Sequence, residues 1–304
     1  MKENISKTNN NMLGKIVMIT GANSGIGKET AKVLAEKGAR VIMICRNKER
    51  GETALKNLKE ETNSDKIELI LADLADPEGI QNAAAQFKEK YDKLDVLINN
   101  AGLVLSKRKT TPLGYEKTFA VNHLGHFLLT TLLLDILIKS APSRIINVSS
   151  GVHYSANINF DDINLSSRYR GYRAYANSKL ANLLFTYELA RRLEGTGVTV
   201  NALHPGFVRS NFGRRGRKLY QRIFFDIART FAKSVEKGAK TSIYLASSPE
   251  VKDETGKYFV NSKPRKSSHT SYDREAQKKL WQLSINAFKD MTIFLPSIAQ
   301  QKTN

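Results

Sequence analysis

A doubly wound α/β fold, with a mostly parallel sheet between two layers of helices, is predicted by three observations. The apolar run Lys15 to Thr20 gives way to Gly21-Ala-Asn-Ser-Gly25-Ile-Gly27 and then to a helix-periodic segment that stops at Gly38. Further β-rich runs follow at Arg40 to Cys45, Lys66 to Leu71, Leu94 to Ile98, Ile145 to Val148 and Val198 to Leu203, with helical patterns between them. Polar or glycine-rich residues stand at the carboxyl ends of these runs. Alternating strands and helices make right-handed βαβ units and a parallel sheet, and open sheets of this kind bind ligands beyond their strands' carboxyl ends.

Each element has its own justification. In the first unit, strand, glycine turn, helix and closing glycine occupy about two dozen residues, as a βαβ crossover requires. Glycines there let the backbone approach a pyrophosphate at the positive end of the helix. A glycine motif alone is weak evidence, since a tight turn needs glycine too. Its position between strand and helix favours a dinucleotide site. At the end of the second run an acid would bind the ribose of NAD, whereas Cys45-Arg46 offers a cation suited to the 2′-phosphate of NADP. Lys28 and Lys48 either assist or are solvated charges. Asp73 and Leu74 close the third run, and Asp76-Pro77-Glu78 opens a helix with acids and proline in its first turn. Asn99-Asn100-Ala101-Gly102 closes the fourth.

From Tyr115 to Ile138 the apolar periodicity reads as one long buried or interface helix. Thr130, Thr131 and Asp135 interrupt it too often for a membrane span. Asn122 lies among apolar neighbours, where an amide ordinarily satisfies core backbone. His123 and His126 have no further ligands at metal-binding spacing, so no metal is expected.

The fifth run ends in Ser149-Ser150, and after 24 intervening residues comes Tyr175-Ala-Asn-Ser-Lys179 at the start of an apolar-periodic helix. Tyr175 and Lys179 are four apart and share a helix face. A phenol beside an ammonium suits acid/base chemistry, because a cation favours the phenolate. Taken alone, such a pair is more often a packed ring beside a solvated charge. After Val198 to Leu203, His204-Pro205-Gly206 shapes a loop at the sheet edge. Asn211 to Ser234 is basic and amphipathic, a substrate lid or an interfacial membrane helix, with the lid preferred. A helix from Val235 to Leu245 and a short strand within Gly256 to Ser262 complete the elements, and the tail after Leu295 is expected to fray.

Composition narrows the function. With 304 residues there is material for one large domain and an ample core. Cys45 is the sole cysteine, which rules out a disulfide within the chain and fits a reducing cytosol. The first twelve residues are polar, without the apolar stretch of a secretory signal, and are expected to be disordered. A net charge of +19 admits nucleic acid, an anionic membrane or anionic ligands. Basic residues concentrate at Arg214, Arg215, Arg217, Lys218 and Arg222, with no zinc spacing or nucleic-acid module beside them, so nucleic acid is not the expected partner.

Together, Thr20-Gly21-Ala-Asn-Ser-Gly25-Ile-Gly27, Asn99-Asn-Ala-Gly102, Asn122, Ser150, Tyr175-Ala-Asn-Ser-Lys179 and Pro205-Gly206 resemble the short-chain dehydrogenase/reductase family, over roughly Lys15 to Ser262. Ile-Cys-Arg, Val-Asn-His-Leu-Gly-His-Phe and Ser-Lys-Leu-Ala-Asn are similar to its retinol-dehydrogenase-like branch. The resemblance implies a Rossmann-like fold, a single domain over residues 13–295 with a lid near 207–234 and a tail at 296–304. It implies NADP(H)-linked interconversion of an apolar alcohol and its carbonyl compound. Tyr175 would be the acid in reduction and the base in oxidation, Lys179 would lower its pKa and bind the nicotinamide ribose, and Ser150 would polarise the carbonyl. Asn122 would hold a water of a proton relay. Gly21, Asn23, Ser24, Gly25, Ile26 and Gly27 would line the phosphates, Arg46 the 2′-phosphate, and Asp73 with Leu74 the adenine. Asn100, Ala101 and Gly102 would flank the cofactor, with Pro205, Gly206 and Val208 over the nicotinamide. Ser210 stands where relatives often have threonine. Membrane-bound members of the branch carry an N-terminal apolar anchor that the first twelve residues do not resemble, so a cytoplasmic enzyme, with at most peripheral membrane contact through 211–234, is expected. Homo-oligomers are implied by family analogy. The competing reading is a cofactor-binding sensor of the same fold without turnover.

Overall fold

A computed structural model describes residues 11–206 and 234–289. Residues 1–10 of the expected disordered start, residues 207–233 of the expected lid with Val208 and the basic cluster at 214–222, and the expected tail at 296–304 lie outside the described residues.

Strand β1 (Ile16–Thr20) is followed by helix α1 (Gly25–Glu36), β2 (Arg40–Cys45), α2 (Lys48–Thr62), β3 (Ile67–Leu71), α3 (Pro77–Lys90) and β4 (Val96–Asn99). Strands β1, β2 and β4 are dominated by buried Ile, Val, Leu and Met, the pattern a helix-covered parallel sheet requires, whereas the edge strand β3 is buried only at Ile67 and Ile70. The sheet runs β3-β2-β1-β4 on one side and continues through β5 (Ser143–Val148), β6 (Val198–His204) and β7 (Lys257–Val260). All of these pair in parallel, with registers such as Ile19 opposite Met43 and Ile98 opposite Ile146. The order reverses between β1 and β4, which opens a crevice at their carboxyl ends. A short β8 (Lys263–Arg265), which sequence periodicity does not predict, pairs antiparallel with β7 and ends the sheet.

Between β4 and β5 the chain does not form the single helix expected from Tyr115 to Ile138. Glu116 accepts from the Phe119 amide at 2.8 Å and caps the one-turn α4 (Lys117–Phe119). A π-helical turn, Ala120–Leu124, then leads into α5 (Gly125–Leu132), and a break at Leu133 precedes α6 (Leu134–Lys139). Gly125 is required here, because a Cβ would lie 2.3 Å from the Leu74 carbonyl oxygen. The long α7 (Gly171–Arg192) carries Tyr175 and Lys179 near its start. Beyond the undescribed segment come α8 (Val235–Ser247) and α9 (Arg274–Asn286). The sequence reading anticipates α8 and misses α9. Among the described residues no helix is long and apolar enough to cross a membrane, and no cluster could hold a metal ion.

Candidate active site

The carboxyl ends of β1, β4, β5 and β6 bring most of the predicted groups to one crevice. Gly21 has φ +68, which a side chain would strain, and its amide donates to Ile44 O at 2.8 Å. At Gly27 a Cβ would come within 2.4 Å of Gly21 O and 2.6 Å of the Asn100 Nδ2, so only glycine lets α1 begin this close to the turn. Ser24 is the N-cap of α1, yet its side chain makes no capping bond, and the first turn holds no acid. The leading amides of α1 are thus left for an anion. These features fit a pyrophosphate held across Gly21, Asn23, Ser24, Gly25, Ile26 and Gly27.

Across the turn lies a hub that the sequence reading does not single out. The Thr20 hydroxyl accepts from the amides of Asn100 and Ala101, both at 2.9 Å, and Asn100 Nδ2 donates back to Thr20 O at 2.8 Å. His126 joins it: Nδ1 is 3.0 Å from Asn122 O and Nε2 is 2.9 Å from Thr20 Oγ1. The carbonyl can only accept, so Nδ1 carries the proton and Nε2 accepts from the threonine. Burial pushes the His126 pKa down to about 3, which keeps that neutral form. The i, i+4 spacing of Asn122 and His126 was the visible signal for this contact; its far partner was not.

At the end of β2, Arg46 Nη1 lies 3.6 Å from Asp73 Oδ2, so two predicted cofactor groups face each other. Asp73 Oδ1 also accepts from Ala75 N at 3.0 Å, and Leu74 is buried beneath. Arg46 is more than half exposed, available to an anion. Pro205 and Gly206 follow β6, where Gly206 has φ +86 and donates to His204 Nδ1 at 3.3 Å.

The reacting groups gather between β5 and α7. Ser150, extended at φ −159, caps the short turn Gly151–Ser155, and its hydroxyl hydrogen-bonds to Tyr175. Burial pushes the Tyr175 phenol up to about 12 against the lowering effect of Ser150. Lys179 is buried, with no carboxylate beside it among the described residues; its Nζ donates to Val148 O at 2.8 Å and lies 5.7 Å from the Tyr175 ring centre. Burial pushes this amine down to about 8. Ser149 Oγ donates to Lys179 O at 2.8 Å, tying strand end to helix. Asn122 is fully buried in the π turn, where Oδ1 accepts from Leu103 N at 2.8 Å and Nδ2 donates to Leu103 O at 3.0 Å and Ser178 Oγ at 2.9 Å. Its side chain is committed to the backbone after Gly102 and to α7.

A glycine-lined helix terminus facing a serine, tyrosine and lysine across the switch point of a parallel sheet defines a dinucleotide-linked oxidoreductase. A family model described as short chain dehydrogenase matches residues 15–219, and the chain belongs to that family. It is 47% identical over 288 residues to human retinol dehydrogenase 14, covering 90% of this chain and 86% of that protein. Among solved structures, it is similar to a putative uncharacterized protein from Mycobacterium paratuberculosis, at TM-score 0.74 and 33% identity over 91% of this chain and 94% of that one. It is also similar to a putative short chain dehydrogenase from Escherichia coli CFT073 complexed with NADPH, at TM-score 0.65 and 25% identity, covering 84% and 99%.

Proposed function

We propose that the protein is an NADP(H)-dependent oxidoreductase that interconverts an apolar alcohol and its aldehyde or ketone, with Tyr175 as the acid in reduction and the base in oxidation. The observation that carries this reading is the half-buried Tyr175, its hydroxyl bonded by Ser150 and followed one helical turn later by an ammonium that has no carboxylate partner among the described residues. At neutral pH the phenol holds its proton, as a donor to a developing alkoxide must. Lys179 is assigned the role of making the phenolate left behind less costly, from its position one helical turn on with Nζ 5.7 Å from the ring centre. Ser150 donates toward the same oxygen and orients the carbonyl. Asn122, clamped on Leu103 and Ser178, fixes the π turn, and its own carbonyl faces His126 Nδ1 at 3.0 Å. When bound, the nicotinamide cofactor supplies the hydride, and the chain supplies orientation and proton handling.

Preference for NADP(H) rests on Arg46, which stands at the end of β2 where an NAD site would carry an acid, and on the likeness to a relative solved with NADPH. The apolar substrate class rests on the likeness to a retinol dehydrogenase. A scaffold without turnover has no use for Asn122, Ser150, Tyr175 and Lys179 together.

The test is NADPH oxidation against retinal, medium-chain aldehydes and small ketones, with NADH as control. Wild type should prefer NADPH, and Tyr175→Phe should lose at least about a hundredfold in turnover while still binding NADPH. Undiminished turnover in Tyr175→Phe would overturn the mechanism, and equal use of NADH would overturn the role of Arg46.

A further inference from the structure

His153 opens the link between Ser150 and Tyr175 and is fully buried. Its Nδ1 lies 2.7 Å from the carbonyl oxygen of Ser150, and its Nε2 lies 3.1 Å from the backbone nitrogen of Ser268. The carbonyl can only accept and the amide can only donate. Nδ1 therefore carries the proton and Nε2 is bare, a single neutral tautomer with both nitrogens satisfied. Burial, which pulls the ring's pKa down, favours the same form. The ring is flanked by Tyr154, with centroids 4.1 Å apart, and meets Tyr258 of β7 edge-on at 5.1 Å.

Ser268 is itself anchored. Its carbonyl accepts from Ser271 Oγ at 2.6 Å; that hydroxyl meets Ser267 Oγ at 2.6 Å, which in turn meets the Tyr187 hydroxyl of α7 at 2.6 Å. The bridge thus runs from the serine at the end of β5, through one imidazole, to a segment beyond the stretch matched by the family model, and back to the helix that carries Tyr175. The Ser150 hydroxyl has one long backbone contact, from Val152 N at 3.5 Å, and the Ser150 carbonyl accepts from the His153 amide at 3.2 Å as well as from its ring, so the imidazole is the group that ties this carbonyl to the Ser268 segment.

We propose that His153 is a positioning residue for Ser150: by clamping the Ser150 carbonyl to the Ser268 amide, it fixes the backbone orientation from which the Ser150 hydroxyl reaches Tyr175 and the substrate oxygen. The proposal rests on the reading of Ser150 given above. Packing alone would equally place a ring between Tyr154 and Tyr258, so the test must separate the two nitrogens.

Asparagine puts an amide where Nδ1 stands, and glutamine puts one where Nε2 stands. His153→Asn therefore keeps the bond to Ser150, and His153→Gln keeps only the bond to Ser268. We expect His153→Asn to stay within about threefold of wild-type kcat, and His153→Gln and His153→Ala to lose about tenfold, with KM and NADPH affinity unchanged. We also expect His153→Ala to cost nothing further in a Ser150→Ala background. Equal kcat in the Asn and Gln variants overturns the proposal, as does a parallel loss of kcat and cofactor affinity or a failure of all three variants to fold. If Ser150→Ala is inactive while every His153 variant is as active as wild type, the positioning role alone falls. Full turnover in Ser150→Ala removes the reading of Ser150 and the proposal with it.

Discussion

Lys179 is costly to the fold it serves. Its ammonium is buried against one carbonyl and, among the described residues, no acid, and its pKa falls from 10.5 to about 8. That shift corresponds to a penalty on the order of 3 kcal/mol at neutral pH, offset by about 1 kcal/mol from the bond to Val148 O. Lys179→Met should therefore raise the stability of the cofactor-free protein by about 2 kcal/mol at pH 7 while abolishing turnover. Between pH 8 and 10.5 the unfolded chain still holds a proton that the folded chain has released, so wild-type stability rises across that window and the variant's advantage fades. Denaturant unfolding of both proteins at pH 7 and pH 10 measures it, and a destabilised variant at pH 7 would refute it. The positions of Tyr175, Lys179 and Ser150 were readable because helix spacing and a strand end place them without knowledge of the rest of the fold. His126 and His153 were not. The worth of each depends on which backbone groups meet its two nitrogens, and the Ser268 amide is 115 residues away from His153.

At the scale of the elements, the site depends on how β1, β4 and the π turn are pinned together. Thr20, at the last position of β1, receives two consecutive amides of the turn after β4 and donates to His126 on α5. Replacing it with valine keeps the shape and a β-branched strand residue but leaves two amides without an acceptor. Thr20→Val should weaken NADPH binding by about tenfold or more, read by fluorescence titration, since the same turn flanks the proposed cofactor site. Unaltered affinity would mean that the Asn100 side chain alone holds the turn. Seven strands, β1 to β7, were legible in the sequence as short β-rich runs. The helix expected from Tyr115 to Ile138 was not legible in detail, because apolar periodicity cannot register that Asn122 turns its amide onto the Leu103 backbone and that the chain adopts a π turn there.

For the molecule as a whole, α9 decides which surfaces remain free. It lies against α7 and closes the apolar cluster of the π turn and α5. Trp281 meets Phe127 edge-on at 5.1 Å, stacks near Phe185 at 6.0 Å, and is covered by the Arg192 guanidinium at 4.2 Å. The buried Glu188 carboxylate holds both Arg191 and Arg192, Arg191 also reaches Gln277, and His123 Nε2 lies 2.9 Å from Ser284 Oγ. The inward face of α9 is therefore half polar, with Gln277 and Ser284 beside Leu280 and Trp281, which is why apolar periodicity did not reveal it. Trp281→Ala should cost about 3–5 kcal/mol in denaturant unfolding, the range for emptying a buried aromatic site. The loss uncovers Phe127 and Phe185, so the variant should also bind a hydrophobic dye and self-associate, read by light scattering. Should Trp281→Ala lose less than about 1 kcal/mol and remain as dispersed as wild type, α9 would be an appendage to the core and not its lid.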